Sequence, residues 1–146
     1  MKLISNSYQK ALHLSNLNKE LKYFFERFFN ESQRLTDPTY GFSGISFEDN
    51  LERNFFDVSY LGVQLRFEFN LCIGEDGVAE GNIYCSKESP NFSKEKNIIG
   101  TFKFDQAGKT NFESDNDQET VRLQYQAIEI ISHFIYLSAT KPLINK

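Results

Sequence analysis

A chain of 146 residues, 40% of them hydrophobic, is long enough to bury one sizeable core, and its length predicts a single domain over residues 1–146. Two cysteines are too few for a disulfide framework, and no apolar stretch approaches the roughly 18 residues of a membrane span. The net charge of −4 is uneven, because residues 37–80 carry nine acidic and two basic side chains, whereas residues 1–36 carry three and six. The acidic segment disfavours nucleic acid and anionic membranes as partners and favours a basic protein.

The chain begins without the apolar core of a signal peptide, so we expect a cytoplasmic protein.

The first predicted element is a helix. Two helix starts are open: Asn16 caps a helix running to about Arg34, or one helix begins near Ser7 and passes through residues 15–16 with a kink. Asp37-Pro38 ends the segment, because the residue before proline avoids the helical region. The apolar stripe at three- and four-residue steps comprises Leu14, Leu17, Leu21, Phe24, Phe25 and Phe28.

The clearest strand signal lies in residues 63–73, where apolar and polar residues alternate. A period of two places the two sets on opposite faces, so the sheet has one covered face and one wet face. A shorter strand around Ile45 and Phe47 precedes this segment, and further strands follow it. We therefore predict an α+β fold with an N-terminal helix, a five- or six-stranded antiparallel β-meander, and a long C-terminal helix packed on one sheet face.

Turn chemistry sets the strand registers. Each predicted turn has a glycine suited to the left-handed conformation, and the turns lie at residues 61–62, 75–77 and 106–108. The resulting registers place Cys85 opposite Phe67 on the covered face and Cys72 on the other face. The two thiols should therefore not form a disulfide with each other. The strand that follows is predicted to line the core with Ile98, Phe102 and Phe104.

The last predicted element is a helix from about Asn116 to Ser138. The acidic segment 114–119 suits a helix N-terminus through capping and the helix dipole. Apolar residues occupy most of the predicted circumference, which is more than one sheet face can cover. The first helix or a second copy of the chain is therefore expected on the other flank. Before this element, residues 86–97 are charged and interrupted by Pro90, which predicts an exposed loop.

No residue pattern predicts catalysis, a metal site or a bound cofactor. The two histidines, His13 and His133, have no Cys or His at ligand spacing. A calcium loop starting at Asp115 would need glycine where Thr120 stands and glutamate where Gln126 stands. Paired carboxylates lie in predicted turns, whereas a general acid usually needs a buried carboxyl group. We therefore predict a non-enzymatic protein without metal or cofactor.

The predicted wet face of the sheet carries the candidate binding site. Aromatic side chains among carboxylates and amides are typical of protein-binding patches, in which the aromatic residues anchor the partner. Asp57 falls opposite Arg66, and a cross-strand ion pair of this kind contributes roughly 0.2–1 kcal/mol. The candidate partner-binding residues are Phe55, Asp57, Glu68, Asn70, Glu80, Asn82 and Tyr84.

The leading hypothesis is a binding protein that engages a basic protein partner through this acidic face, as an inhibitor, a toxin-immunity protein or a secretion chaperone. The order of helix, meander and helix resembles small bacterial immunity proteins and export chaperones in architecture. Two alternatives are a structural homodimer joined through the C-terminal helix and a small-molecule carrier with an apolar pocket between sheet and C-terminal helix. The residues predicted to line that pocket are Phe67, Phe69, Phe102, Phe104 and Ile131.

Overall fold

The computed structural model describes residues 1–88, 97–114 and 119–140. Helix α1 (Ser7–Ser32) leads through two 3₁₀ turns into a seven-stranded antiparallel sheet, and helix α2 (Ala127–Thr140) follows the sheet. The strand order in the sheet equals the order in the chain, so the sheet is a meander, and both helices pack on one face of it. This architecture confirms the predicted α+β fold. The strands are β1 (Ser46–Asn50), β2 (Phe55–Tyr60), β3 (Val63–Ile73), β4 (Ala79–Lys87), β5 (Asn97–Phe104), β6 (Lys109–Glu113) and β7 (Thr120–Arg122).

Helix α1 is continuous from Ser7, so the alternative in which Asn16 caps its start is wrong. Its C-terminal half carries the predicted apolar stripe into the core, where Leu21, Phe25 and Phe28 are fully buried. The first thirteen residues of the chain are all exposed, so the N-terminal half of the helix extends beyond the core. Burial of one stripe by the sheet therefore stabilises mainly the second half of this helix.

The registers predicted from the turns are confirmed for β2, β3 and β4. Tyr60 pairs with Val63, and Phe67 pairs with Cys85. The turn at residues 61–62 has φ values of 54° and 77°, and this left-handed pair matches the twist of a two-residue hairpin. The glycines that end the two longer turns have φ values of 79° and 80°. Cys72 and Cys85 are free thiols on opposite faces of the sheet.

Phenylalanine rings from four elements meet on the covered face, which we call the inner face. The ring of Phe67 lies 5.2 Å from that of Phe56 on β2, 5.9 Å from that of Phe28 on α1, and 5.5 Å from that of Phe134 on α2. The Phe56 ring is stacked on Phe67 and the other two rings are edge-on to it, and at these centroid distances both arrangements occur in favourable aromatic pairs. One strand residue thus joins the sheet to both helices. In β5, Phe102 and Phe104 are buried as predicted.

The predicted start of the C-terminal helix is wrong, because α2 begins at Ala127 and residues 120–122 form β7. The backbone N–H of Leu123 donates to the carbonyl of Gly108, and the side chains of Arg122 and Gln124 donate to the carbonyl of Ala107. These bonds hold the segment against the turn between β5 and β6, so tertiary hydrogen bonds override its helical pattern. The seventh strand itself comes from antiparallel pairing with β6, in which Lys109 pairs with Arg122 and Glu113 with Thr120. Of the predicted acidic opening, residues 115–118 lie outside the described residues.

The predicted core position of Ile98 is also wrong. A β-bulge lies opposite Cys85 and Ser86, which pair with Gly100 and Ile98 and leave Ile99 as the extra residue. The bulge turns Ile98 outward, with 55% of its surface exposed, and buries Ile99 instead. The predicted exposed loop lies mostly in residues 89–96, outside the described part of the chain.

Candidate functional site

All seven candidate binding residues lie on the face of the sheet opposite the helices, which we call the outer face. Directly paired residues of antiparallel strands share a face, and Glu68 pairs with Phe55 on one side and with Tyr84 on the other. Asn70 pairs with Asn82 in the same way. The remaining two candidates are in register with this set: Asp57 pairs with Arg66, and Glu80 pairs with Cys72.

Asp57 was expected to face solvent, and that expectation is wrong. Its surface is only 3% exposed, because the Arg66 side chain lies across it. Arg66 donates from Nε to Oδ1 at 2.8 Å and from Nη2 to Oδ2 at 3.1 Å, which confirms the predicted ion pair in a two-bond geometry. The hydrogen bond to Asp57 raises the pKa of Arg66, against the opposing effect of its partial burial.

Phe55 was likewise expected to be exposed, and it is 9% exposed. The guanidinium carbon of Arg66 lies 4.0 Å from the centre of the Phe55 ring, and that of Arg53 lies 5.8 Å away. The ring is thus covered by cation–π contacts, which are favourable over an aromatic face. The Arg66 side chain thus covers both Phe55 and Asp57, and a partner could not contact these two residues. Their register was predictable, whereas their cover depends on how one long side chain folds.

The open part of the outer face is a shallow depression of about 260 Å³ across β3, β4 and β5. We call it the outer depression. Its lining contains three of the predicted site residues and two residues that were not among them. Ser86 shares the face because it pairs with Arg66, but the bulge that exposes Ile98 has no simple signal in the sequence. The lining residues are Glu68, Asn70, Tyr84, Ser86 and Ile98.

Negative charge exceeds positive charge on the outer face of β1–β4, all of whose residues the structure describes. Glu48 pairs with Asp57 and so joins Glu68 and Glu80 on this face. The positive charge of Arg66 is compensated by Asp57 at 2.8 Å and by Glu88 at 3.5 Å. The outer depression therefore has acidic side chains on its β3 and β4 side, and Lys103 on β5, which pairs with Asn82, adds one positive charge to the same face.

The five residues predicted to line an apolar pocket pack against one another on the inner face. Each is at most 3% exposed, and the rings of Phe69 and Phe104 lie 5.9 Å apart. At the edge of this layer, a depression of about 10 Å³ offers the space of roughly one water molecule. Among the described residues, this packing favours a filled core over a ligand cavity. The carrier alternative has no supporting cavity there.

Helix α2 is covered on most of its circumference by the sheet and by α1. Its exposed side carries Glu129, His133 and Tyr136 at helical spacing, with apolar neighbours such as Ile130 and Phe134 buried. The wide apolar surface that motivated the homodimer hypothesis thus belongs partly to β7 and partly to the intramolecular packing. The homodimer itself stays a prediction.

Other polar features of the molecule are less specific. A cleft of about 460 Å³ between α1 and the connection from β1 to β2 mixes both signs of charge, with Lys22 and Arg53 beside Glu26 and Asp49. Burial raises the pKa of the Cys85 thiol and so disfavours its reactive thiolate. In residues 1–88, 97–114 and 119–140, no group of three or more His, Cys, Asp or Glu side chains is arranged to hold a metal ion.

Within the same described ranges, none of the helices combines the length and the apolar character that crossing a membrane requires. Comparison with models of known protein families, with curated proteins and with solved structures finds no match to this chain.

Proposed function

We propose that this is a non-enzymatic protein that binds a basic protein partner through the outer face of β3 and β4. The partner would be an enzyme that the protein inhibits, a toxin that it neutralises or an exported protein that it accompanies. The observation that supports the proposal is the outer depression: an open, partly apolar hollow beside the carboxylates of Glu68 and Glu80, on a molecule whose other sheet face is covered by two helices. We place the protein in the cytoplasm, where its two free thiols remain reduced.

The charge of the outer face is suited to steering a basic partner. Complementary charge speeds encounter by roughly 10–1,000-fold at low salt, and it also suppresses association with acidic proteins. Glu68 and Glu80 belong to neighbouring strands, so both act on the same approaching surface. Binding is therefore expected to weaken as the salt concentration rises.

The aromatic and apolar residues of the outer depression are suited to anchoring. Interface hot spots are usually a few large side chains in a desolvated centre, surrounded by polar residues. Tyr84 is partly buried and Ile98 is 55% exposed, and both line the depression. Covering these two side chains would add apolar burial to the electrostatic attraction.

The proposal is tested by reversing charge on the outer face. The double variant Glu68→Lys/Glu80→Lys is compared with Glu20→Lys/Glu129→Lys, which changes the net charge equally at exposed positions of the two helices. Each tagged protein is used to capture partners from the native lysate at low and high salt, and captured proteins are quantified by mass spectrometry. We expect a basic protein to be retained by the wild type and the helix variant, lost at high salt, and lost by the outer-face variant.

The same variants need a stability control, because loss of folding would mimic loss of binding. Substitutions of partly exposed polar residues usually change stability by about 0.5 kcal/mol or less, so both double variants should unfold close to the wild type in urea. Equal capture of the basic protein by the outer-face variant would contradict the proposed function. Capture of acidic proteins alone would contradict it as well.

A further inference from the structure

We infer that the outer depression receives one arginine side chain of the basic partner. This inference rests on the proposed function and adds the chemical group that the site recognises. Glu68 supplies a carboxylate, Tyr84 a ring and Ile98 an aliphatic surface, which match the charged head, the flat guanidinium plane and the methylene groups of arginine.

The size of the outer depression favours a single side chain. Sites for drug-sized ligands usually occupy about 300–1,000 Å³ and bury most of the ligand. The depression measures about 260 Å³ and is open to solvent along the sheet surface. It is therefore too small and too shallow to enclose a typical metabolite, whereas one long side chain fits within it.

The molecule already contains one arginine held in the corresponding way. Arg66 lies on the ring of Phe55 at 4.0 Å while its Nε donates to the carboxylate of Asp57 at 2.8 Å. One step further along β3, Glu68 and Tyr84 are directly paired across β3 and β4, so a carboxylate and an aromatic ring again stand side by side. The outer depression thus places the same two kinds of group, a carboxylate and an aromatic ring, next to each other in a hollow that solvent can enter.

Arginine fits this lining better than lysine does. A guanidinium is flat, stacks on aromatic rings and offers five donors, whereas an ammonium is compact and more strongly hydrated. Asn70 and Ser86 add an amide oxygen and a hydroxyl oxygen as further acceptors beside the carboxylate of Glu68. The positive charge of Arg66 does not oppose entry strongly, because Asp57 and Glu88 compensate it.

The test is an NMR titration of the ¹⁵N-labelled full chain with three small probes. These are the N-acetyl methylamides of arginine, lysine and citrulline, the last being an uncharged analogue of arginine. We expect the arginine probe to cause saturable shifts at the amides of the lining residues of β3 and β4. The citrulline probe should bind about tenfold more weakly, since a charge-assisted hydrogen bond is replaced by a neutral one, and lysine should fall between them.

Two variants sharpen the titration. Glu68→Gln removes the charge with little change of shape and should weaken binding of the arginine probe about tenfold. Glu129→Gln is the matched control on α2 and should leave the affinity unchanged. An arginine probe that binds no better than citrulline, or that binds Glu68→Gln as well as the wild type, would overturn the inference.

The outcomes also separate this inference from the proposed function. If Glu68→Lys/Glu80→Lys loses the basic partner while the probes show no preference for arginine, the arginine inference fails and the proposed function stands. If that double variant captures the partner as well as the wild type, the proposed function fails and the arginine inference falls with it.

Discussion

The inner and outer faces of β3 differ in what holds their side chains in place. On the inner face, Phe67 contacts rings from β2, α1 and α2, and no part of its surface is exposed. On the outer face, the neighbouring residue Glu68 lines an open depression, and Asn70 is exposed. Because successive residues of a strand point to opposite faces, one strand can hold the core on one side and present a polar surface on the other.

Truncating a buried side chain on the inner face should cause the largest loss of unfolding free energy. Phe67→Ala removes a fully buried ring and leaves a cavity between the sheet and both helices, which typically costs about 3–5 kcal/mol of unfolding free energy. Asn70→Ala, on the same strand, should change it by about 0.5 kcal/mol or less. Urea denaturation measures the unfolding free energy of both variants, and similar decreases in the two would contradict this prediction.

The outer face also contributes to stability where Arg66 covers Phe55 and Asp57. Arg66→Met leaves the carboxylate of Asp57, which is 3% exposed, without its charged partner, and breaking a buried pair in this way costs about 3 kcal/mol. Asp57→Ala should cost less, since the Arg66 side chain is 26% exposed and also lies near Glu88. Equilibrium unfolding of both variants tests this order, and a larger loss for Asp57→Ala would contradict it.

Adding a methyl group to the inner face should have a smaller effect. A Cβ atom at Gly81 would overlap the Phe104 ring, so Gly81→Ala forces that buried ring to move. Overpacking of this kind costs about 1–3 kcal/mol. Asn82→Ala, the adjacent residue on the outer face, is the control and should stay within about 0.5 kcal/mol of the wild type in thermal unfolding. Equal stability of Gly81→Ala and the wild type would mean that the ring relaxes freely.

The smallest effect is expected at the acidic edge of the outer face. Glu80→Gln keeps the size of the side chain and removes one charge at a partly exposed position, so stability should change by about 0.5 kcal/mol or less. Binding of the basic partner should still weaken, mainly through a slower association rate at low salt. Stopped-flow or surface-based kinetics measures the association rate and the dissociation rate separately. A change confined to the dissociation rate would contradict the steering role.

The sheet was predictable where two local signals agreed. In β2, β3 and β4, the period of two and the glycine turns point to the same registers, and the structure has those registers. Residues 120–125 carry an apolar pattern that fits a helix as well as a strand, and they form no helix because residues 122–124 bond to Ala107 and Gly108. Such long-range hydrogen bonds leave no local pattern in the sequence.

The sequence predicted which candidate residues share the outer face, but it did not predict which of them are exposed. Alternation and register place Glu68, Asn70 and Tyr84 together, and all three line the outer depression. The register says nothing about cover, however, so it could not show that Arg66 folds across Phe55 and Asp57. The bulge that exposes Ile98 shifts a strand by one residue, which reverses the faces beyond it.

The rate at which the Cys85 thiol is modified reports how often the core of the protein opens. The side chain is fully buried on the inner face, and burial raises the pKa of its thiol, so a thiol reagent reaches and modifies it only when the aromatic layer separates. Cys72, partly exposed on the outer face, is accessible without that opening. Two cysteines on opposite sides of one sheet therefore let a single labelling time course report surface access and core opening separately, in the unaltered chain.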